Sequence, residues 1–187
     1  MIQPQDITDY YINTVPTGGT AIDATAGNGF DTLKLCRKVG ENGKVYAFDI
    51  QKTALEETKK KLCSEGFSNA RLIHDSHARL DEYITEPADC AVFNLGYLPG
   101  GDHSLQTKTD TTIEAIKKSL TLLKSTGFVS VTVYYGKNSG TEEKEGVMEF
   151  LKCLDHKKYT VLTHDFHNRP NNPPITVIIT KNDTPIA

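Results

Sequence analysis

The sequence predicts an α/β protein in which a mostly parallel, seven-stranded sheet carries helices on both faces and closes on an antiparallel pair of strands. Two observations carry this. Short apolar runs alternate with amphipathic stretches as far as residue 154, the pattern of βαβ units. Beyond that point two strand-like runs follow one another with only a turn-rich segment between them, and strands joined in this way pair antiparallel. With 187 residues the chain is expected to form one domain, spanning 1–187.

Taken in order, Thr20-Ala21-Ile22-Asp23 reads as a strand ending in a carboxylate, and 30–39 as a helix with Leu33 and Leu35 among its apolar positions. Lys44 to Asp49 is a second strand, again closed by an aspartate, and 53–64 a helix stopped by Gly66. Arg71-Leu72-Ile73 and Cys90-Ala91-Val92-Phe93 are the third and fourth strands. The helix expected over 110–124 has Ile113, Ile116, Leu120 and Leu123 at helical spacing. Gly127 then introduces Phe128 to Val133, the strongest strand signal in the chain, and 142–154 is the last helix. The closing pair is Tyr159 to Leu162 and Ile175 to Ile179, joined by Asn168-Arg169-Pro170-Asn171-Asn172-Pro173-Pro174.

The composition excludes several classes. No segment is long and apolar enough for a membrane span, and the first residues have neither a basic stretch nor an apolar core, so a cytoplasmic protein is expected. Cys36, Cys63, Cys90 and Cys153 form no C-x-x-C pair, so reduced thiols and no metal site are expected. A net charge of −3 is no footprint for tight nonspecific nucleic-acid binding. Lys59-Lys60-Lys61, Lys117-Lys118 and Lys157-Lys158 fall on helix faces or ends and read as solvated surface.

The chemistry concentrates at the carboxyl ends of the predicted strands, where open α/β sheets bind ligands. Asp23-Ala24-Thr25-Ala26-Gly27-Asn28-Gly29-Phe30-Asp31-Thr32 leaves the first strand and enters a helix through two glycines. Such a turn lets a ligand approach the backbone and offers it the free N–H groups of the helix start. As a dinucleotide fingerprint the stretch is poor, because Phe30-Asp31-Thr32 stands where a third glycine belongs. An aspartate ahead of the turn instead suits a nucleoside ligand that carries an ammonium and no pyrophosphate, as S-adenosylmethionine does. Asp49 is placed either to accept both ribose hydroxyls or to cap the next helix. Asp75-Ser76 stands where such folds contact the adenine, with Ser76 equally a plausible N-cap. The fourth strand runs into Asn94-Leu95-Gly96-Tyr97, similar in spacing to the Asn-Pro-Pro-Tyr motif of methyltransferases acting on amino nitrogens, with Leu95-Gly96 in place of Pro-Pro. Asn94 would orient an amine through its amide oxygen while the Tyr97 ring packs on the substrate. His77 and His103 are proton acceptors or structural hydrogen-bonding groups. Tyr134 and Tyr135 stack on a base or cover the core.

Four segments together resemble one family: Asp23 to Gly29 with Asp31-Thr32, Phe48 to Gln51, Asn94 to Asp102, and Asn168-x-x-Asn171-x-Pro173-Pro174. The chain resembles the YtqB/MnmM family of class I methyltransferases, long labelled rRNA methylases, across essentially its whole length. The resemblance implies a Rossmann-like class I fold, S-adenosylmethionine as cofactor and no metal. It also implies a homodimer and methylation of the aminomethyl group of the tRNA wobble uridine in the anticodon loop. On this reading Asp23, Ala24, Gly27, Asn28, Gly29, Asp31, Thr32, Asp49, Gln51, Asp75, Ser76, His77 and Asn94 hold the cofactor. Asn94, Tyr97, Asp102 and His103 serve catalysis, and Tyr97, Pro99, Gly100, Tyr135, Asn168, Arg169 and Asn171 meet the substrate. Relatives tend to carry His-Pro-Gly-Gly after the fifth strand; this chain has Gly136-Lys137-Asn138-Ser139-Gly140, so no role for that histidine transfers.

Overall fold

The structure is a computed structural model and describes residues 1–96, 106–136 and 140–182. The elements run α1 (Pro4–Ile12), β1 (Thr20–Asp23), α2 (Phe30–Val39), β2 (Lys44–Asp49), α3 (Lys52–Ser64), β3 (Ala70–His74), a 3-10 segment (His77–Glu82) and β4 (Ala88–Leu95). They continue with α4 (Thr109–Leu122), β5 (Leu123–Val133), α5 (Thr141–Lys152), β6 (Tyr159–His164) and β7 (Ile175–Lys181). The sheet has seven strands in the order β3-β2-β1-β4-β5-β7-β6. The first five strands pair in parallel, and β7 inserts antiparallel between β5 and β6. This is the layout the sequence predicted, a mostly parallel sheet closing on an antiparallel pair, and it agrees with the class I fold that the resemblance implies.

The strands split their side chains between two cores, as period-2 geometry demands. On β4, Ala91, Phe93 and Leu95 face Ile116 and Leu120 of α4 and Val147 of α5. Cys90 and Val92 face Leu33, Cys36 and Val39 of α2 and Ile12 of α1. A strand buried on both faces must be apolar almost throughout, which is why β4 reads as a continuous hydrophobic run.

β6 and β7 each run two residues past their expected ends, to His164 and Lys181, and α5 stops two short, at Lys152; three further differences bear on the site. α1 was not predicted. It begins with Pro4 at a first-turn position and is closed at its start by the Gln3 N–H donating to Asp6 Oδ2 at 2.7 Å. Its buried residues Pro4, Thr8 and Ile12 recur every four residues, and Thr8 Oγ1 meets Ser130 Oγ on β5 at 2.9 Å. β4 runs two residues past Phe93, so Asn94 stands within the strand rather than in the loop after it. α4 stops at Leu122 because Leu123, buried at 3% exposure, turns extended to pair with Ala88, and the β4–β5 register shifts before Cys90 meets Phe128.

Candidate functional site

The carboxyl ends of β1, β2, β4 and β5 meet at one edge of the sheet, and the glycine turn after β1 forms its centre. Ala24 N–H continues the ladder to Val92 O at 2.9 Å, and Ala26 N–H crosses to Phe48 O at 2.8 Å. Gly29 has φ +75°, and a side chain there would stand 2.9 Å from the Thr58 Cα on α3. Both the left-handed backbone and the close approach of α3 therefore require glycine. Thr58 Oγ1 donates to Gly27 O at 3.0 Å, fastening the turn from the other side.

Asp49 joins this turn to the next. Its Oδ2 accepts the Gly27 N–H at 2.9 Å and its Oδ1 the Gln51 N–H at 2.8 Å. The residue is half-buried, and each carboxylate oxygen keeps a further lone pair, enough for two hydroxyls of a ribose. The exposed Ile50 beside it offers an apolar face to a flat ring.

Asp23 is fully buried beneath the turn, where Oδ1 accepts Thr25 N–H at 3.2 Å and Oδ2 accepts Thr32 Oγ1–H at 2.6 Å. Burial, with Asp31 nearby, raises its pKa to about 7. Asp23 thus braces the turn, and Thr32 is spent on Asp23.

Asp75 Oδ1 accepts Ser76 N–H at 2.8 Å, while Oδ2 takes Tyr83 OH at 2.6 Å and Arg79 at 2.9 Å. The Tyr83 hydrogen bond holds its pKa below the usual range. Ser76 Oγ accepts Ala78 N–H at 3.2 Å and serves as the N-cap of the 3-10 segment. His77 lies 3.0 Å from Ala24 O through Nδ1. A carbonyl only accepts, so Nδ1 carries the proton and Nε2 presents a lone pair. Nε2 is buried and has no hydrogen-bond partner among the described residues. Burial lowers the His77 pKa, which favours the neutral ring.

Asn94 is fixed twice. Its N–H donates to Thr25 Oγ1 at 2.8 Å, and its Nδ2 donates to Asp31 Oδ2 at 2.8 Å. Asp31 also pairs with Lys34 at 3.1 Å, and Lys34 with Asp9 of α1 at 2.6 Å. Just beyond β4, Gly96 and Thr107 exchange hydrogen bonds: Gly96 N–H to Thr107 Oγ1 at 2.9 Å, and Thr107 N–H to Gly96 O at 3.0 Å. The buried Glu143 of α5 accepts Thr107 Oγ1–H at 2.6 Å and Thr112 Oγ1–H at 2.8 Å, and burial raises its pKa. These bonds tie together the two ends of the stretch that holds Tyr97, Pro99, Gly100, Asp102 and His103, which lie outside the described residues.

At the end of β5 the Tyr134 hydroxyl is bonded to Gln5 Nε2 of α1, while Tyr135 packs on the core with Lys144 Nζ 3.8 Å from its ring centre. The β6–β7 loop reaches the same edge, because Ile175 pairs with Val133. In it Asn168 and Asn171 are exposed, Asn171 with φ +66°. Arg169 donates to Ile2 O at 2.5 Å and stacks 3.7 Å over the Phe166 ring. The sequence reading missed Gln5, Asp9, Thr25 and Lys34. The Pro4-to-Asp6 helix start was the available signal for the first two.

The chain matches the model of a family described as "Putative rRNA methylase" over residues 45–180. It is 39% identical over 170 residues to a chloroplastic protein of Arabidopsis thaliana named tRNA (mnm(5)s(2)U34)-methyltransferase, covering 85% of this chain. This chain spans 62% of that relative's length. Among solved structures, a protein of Clostridium thermocellum titled an rRNA-methylase superposes with TM-score 0.95 at 46% identity, covering 97% of this chain and 99% of that one. A Streptococcus mutans methyltransferase solved in complex with SAH superposes with TM-score 0.89 at 40% identity, covering 97% and 99%.

Proposed function

The chain belongs to the "Putative rRNA methylase" family, and from that premise we propose that it is an S-adenosylmethionine-dependent N-methyltransferase that converts the 5-aminomethyl group of the tRNA wobble uridine to 5-methylaminomethyl. The observation that carries this reading is the seating of Asn94 against the glycine turn, through Thr25, at the carboxyl end of β4. On this reading Asn94 links the nucleoside cradle to the substrate amine.

The residues present fit the cofactor. Asp49 keeps lone pairs for a ribose diol, Ile50 flanks it, and the buried Nε2 of His77 awaits a donor. When bound, S-adenosylmethionine supplies a methyl group already made electrophilic by its sulfonium, which leaves the protein to align and to manage a proton. Asn94 Oδ1 accepts from the substrate amine and so directs the nitrogen lone pair. A free alkylamine is mostly protonated at neutral pH, near the lysine reference of about 10.4, so a proton must leave before the nitrogen can react. Asp102 and His103 are the acceptors this reading assigns, and Tyr97, Pro99 and Gly100 are the residues it assigns to base recognition. Tyr135, Asn168, Arg169 and Asn171 form the outer rim that meets the anticodon loop. There a single-stranded base can be held by stacking and a few charges.

The name of the Arabidopsis relative, 39% identical, supports tRNA as substrate. The reading extends to a cytoplasmic protein of one domain over 1–187 that forms a homodimer, and sedimentation of the purified protein tests the dimer. The deciding measurement is nucleoside mass spectrometry of tRNA from a deletion strain, with accumulation of the 5-aminomethyl nucleoside expected. Unchanged nucleosides, or equal methylation of isolated ribosomal RNA by the purified protein, would overturn the substrate assignment.

A further inference from the structure

Asp31 occupies the second residue of α2, where free N–H groups favour a carboxylate. Its side chain is only 11% exposed, and its two oxygens have separate tasks. Oδ1 is paired to Lys34, and Oδ2 accepts from Asn94 Nδ2. A carboxylate held by a lysine has no proton to give, so only the NH2 end of the Asn94 amide can face it. The amide is planar, and its oxygen is therefore fixed on the side away from Asp31. The backbone of Asn94 cannot shift to change this, because Thr25 holds its N–H.

We propose that Asp31 is a positioning residue that orients the Asn94 amide with its oxygen toward the substrate amine, and that Lys34 and Asp9 keep Asp31 in place for this. The proposal rests on the amine-binding role of Asn94 given above. An unrestrained asparagine presents either end of its amide. With the NH2 end forward, two donors would face an amine that itself has N–H bonds to donate, and its lone pair would turn toward Asn94 instead of the methyl group. The chain Asp9–Lys34–Asp31–Asn94 carries this constraint from α1 to the end of β4 and gives the N-terminal helix a part in the chemistry. The alternative role for Asp31, direct binding of the cofactor's ammonium, predicts a different kinetic signature.

A double-mutant cycle with a binding measurement separates the two. Asp31→Ala, Asn94→Ala and the double variant are assayed for kcat on tRNA carrying the aminomethyl uridine, with S-adenosylmethionine affinity read by calorimetry. Each single change is expected to lower kcat on the order of tenfold to a hundredfold, with little change in cofactor affinity. The double variant should be no slower than the worse single one, because the two residues act as one unit. Multiplicative losses, or a loss of cofactor affinity on Asp31→Ala that accounts for its effect, would overturn the proposal. Asp31→Leu, which branches at the same carbon but has no acceptor, takes the place of Asp31→Ala in the cycle if the alanine variant does not fold. An independent arm reads the amide itself. In 15N-labelled protein, one Asn94 side-chain proton should be shifted downfield by its carboxylate partner and return toward its ordinary position in the Asp31 variant. An unshifted Asn94 amide in the unmodified protein rejects the positioning role even if the enzyme is active. A shifted amide in a protein that does not methylate this tRNA supports the orientation and rejects only the substrate reading.

Discussion

Asp23 and Asp49 close neighbouring parallel strands, yet the fold puts one beneath the glycine turn and the other on its rim. Their tests differ accordingly. Asp49→Ala removes acceptors for a ribose, each such bond to a charged group contributing about 1.5–3 kcal/mol. Calorimetry should show markedly weaker S-adenosylmethionine binding, and unchanged affinity in a folded variant would remove Asp49 from the cofactor site. Asp23 concerns stability. Its pKa is about 7 in the folded protein against an ordinary 3.8, so between these values the folded state binds more protons than the unfolded one. The stability tied to this group is complete below pH 4 and is lost as the pH rises through 7. The size is on the order of a few kcal/mol at most. Urea unfolding at pH 5 and pH 8 should therefore show a larger drop in the unmodified protein than in Asp23→Asn; equal drops would contradict the assignment. Asp23, Asp49 and Asn94 were legible because each stands at the last or next-to-last residue of a strand, beside a glycine-bearing or aromatic-bearing turn. Thr25 and Lys34 were not, since their partners come from β4 and α1 and depend on tertiary register.

Among the elements, α5 shows how a helix can serve a site it does not line. Glu143 sits on its first turn and is satisfied by two threonine hydroxyls, one of them fixing the Gly96–Thr107 pair. Glu143→Ala leaves the half-buried Thr107 hydroxyl and the buried Thr112 hydroxyl without that acceptor, at about 1–3 kcal/mol for a buried unsatisfied group such as Thr112. Thermal unfolding should show a clearly lower Tm, with Glu143→Gln intermediate because its amide oxygen still accepts. A Tm unchanged in Glu143→Ala would mean that water replaces the carboxylate freely. Strands and long helices were legible because their apolar period repeats over several turns or alternations. α1 was not, since Thr8 counts as polar in a pattern and becomes a core residue only when Ser130 meets it. The early start of β5 was hidden for a similar reason: Leu123 fits the helical spacing of α4 and is claimed by Ala88.

For the molecule as a whole, a net charge of −3 places nucleic-acid affinity in a few local contacts. Several lysines are already neutralised: Lys60 pairs with Glu57 at 2.6 Å and Lys118 with Asp81 at 2.8 Å. Arg169 is tied to Ile2 and Phe166, yet its guanidinium has further N–H donors for a phosphate. Arg169→Ala should flatten the dependence of log K on log salt by about one unit for tRNA binding, with cofactor affinity unaltered. An unchanged slope would confine Arg169 to pinning the N-terminal segment. Among the described residues no helix is long and apolar enough to cross a membrane.

The insertion of β7 between β5 and β6 also sets an order of events during synthesis. As the polypeptide leaves the ribosome, β5 can pair with β4 at once, but its other edge stays bare until residues 175–181 emerge. That edge belongs to a strand whose residues from Gly127 onward are all buried in the finished sheet, so the nascent chain carries an adhesive border through the making of α5 and β6. Helix α1, though made before every strand of the sheet, cannot finish docking either, since Thr176 of β7 hydrogen-bonds to Pro4 O. A ribosome stalled before residue 175 would thus hold a chain prone to self-association and dependent on chaperones, and release of that one strand would relieve both conditions together.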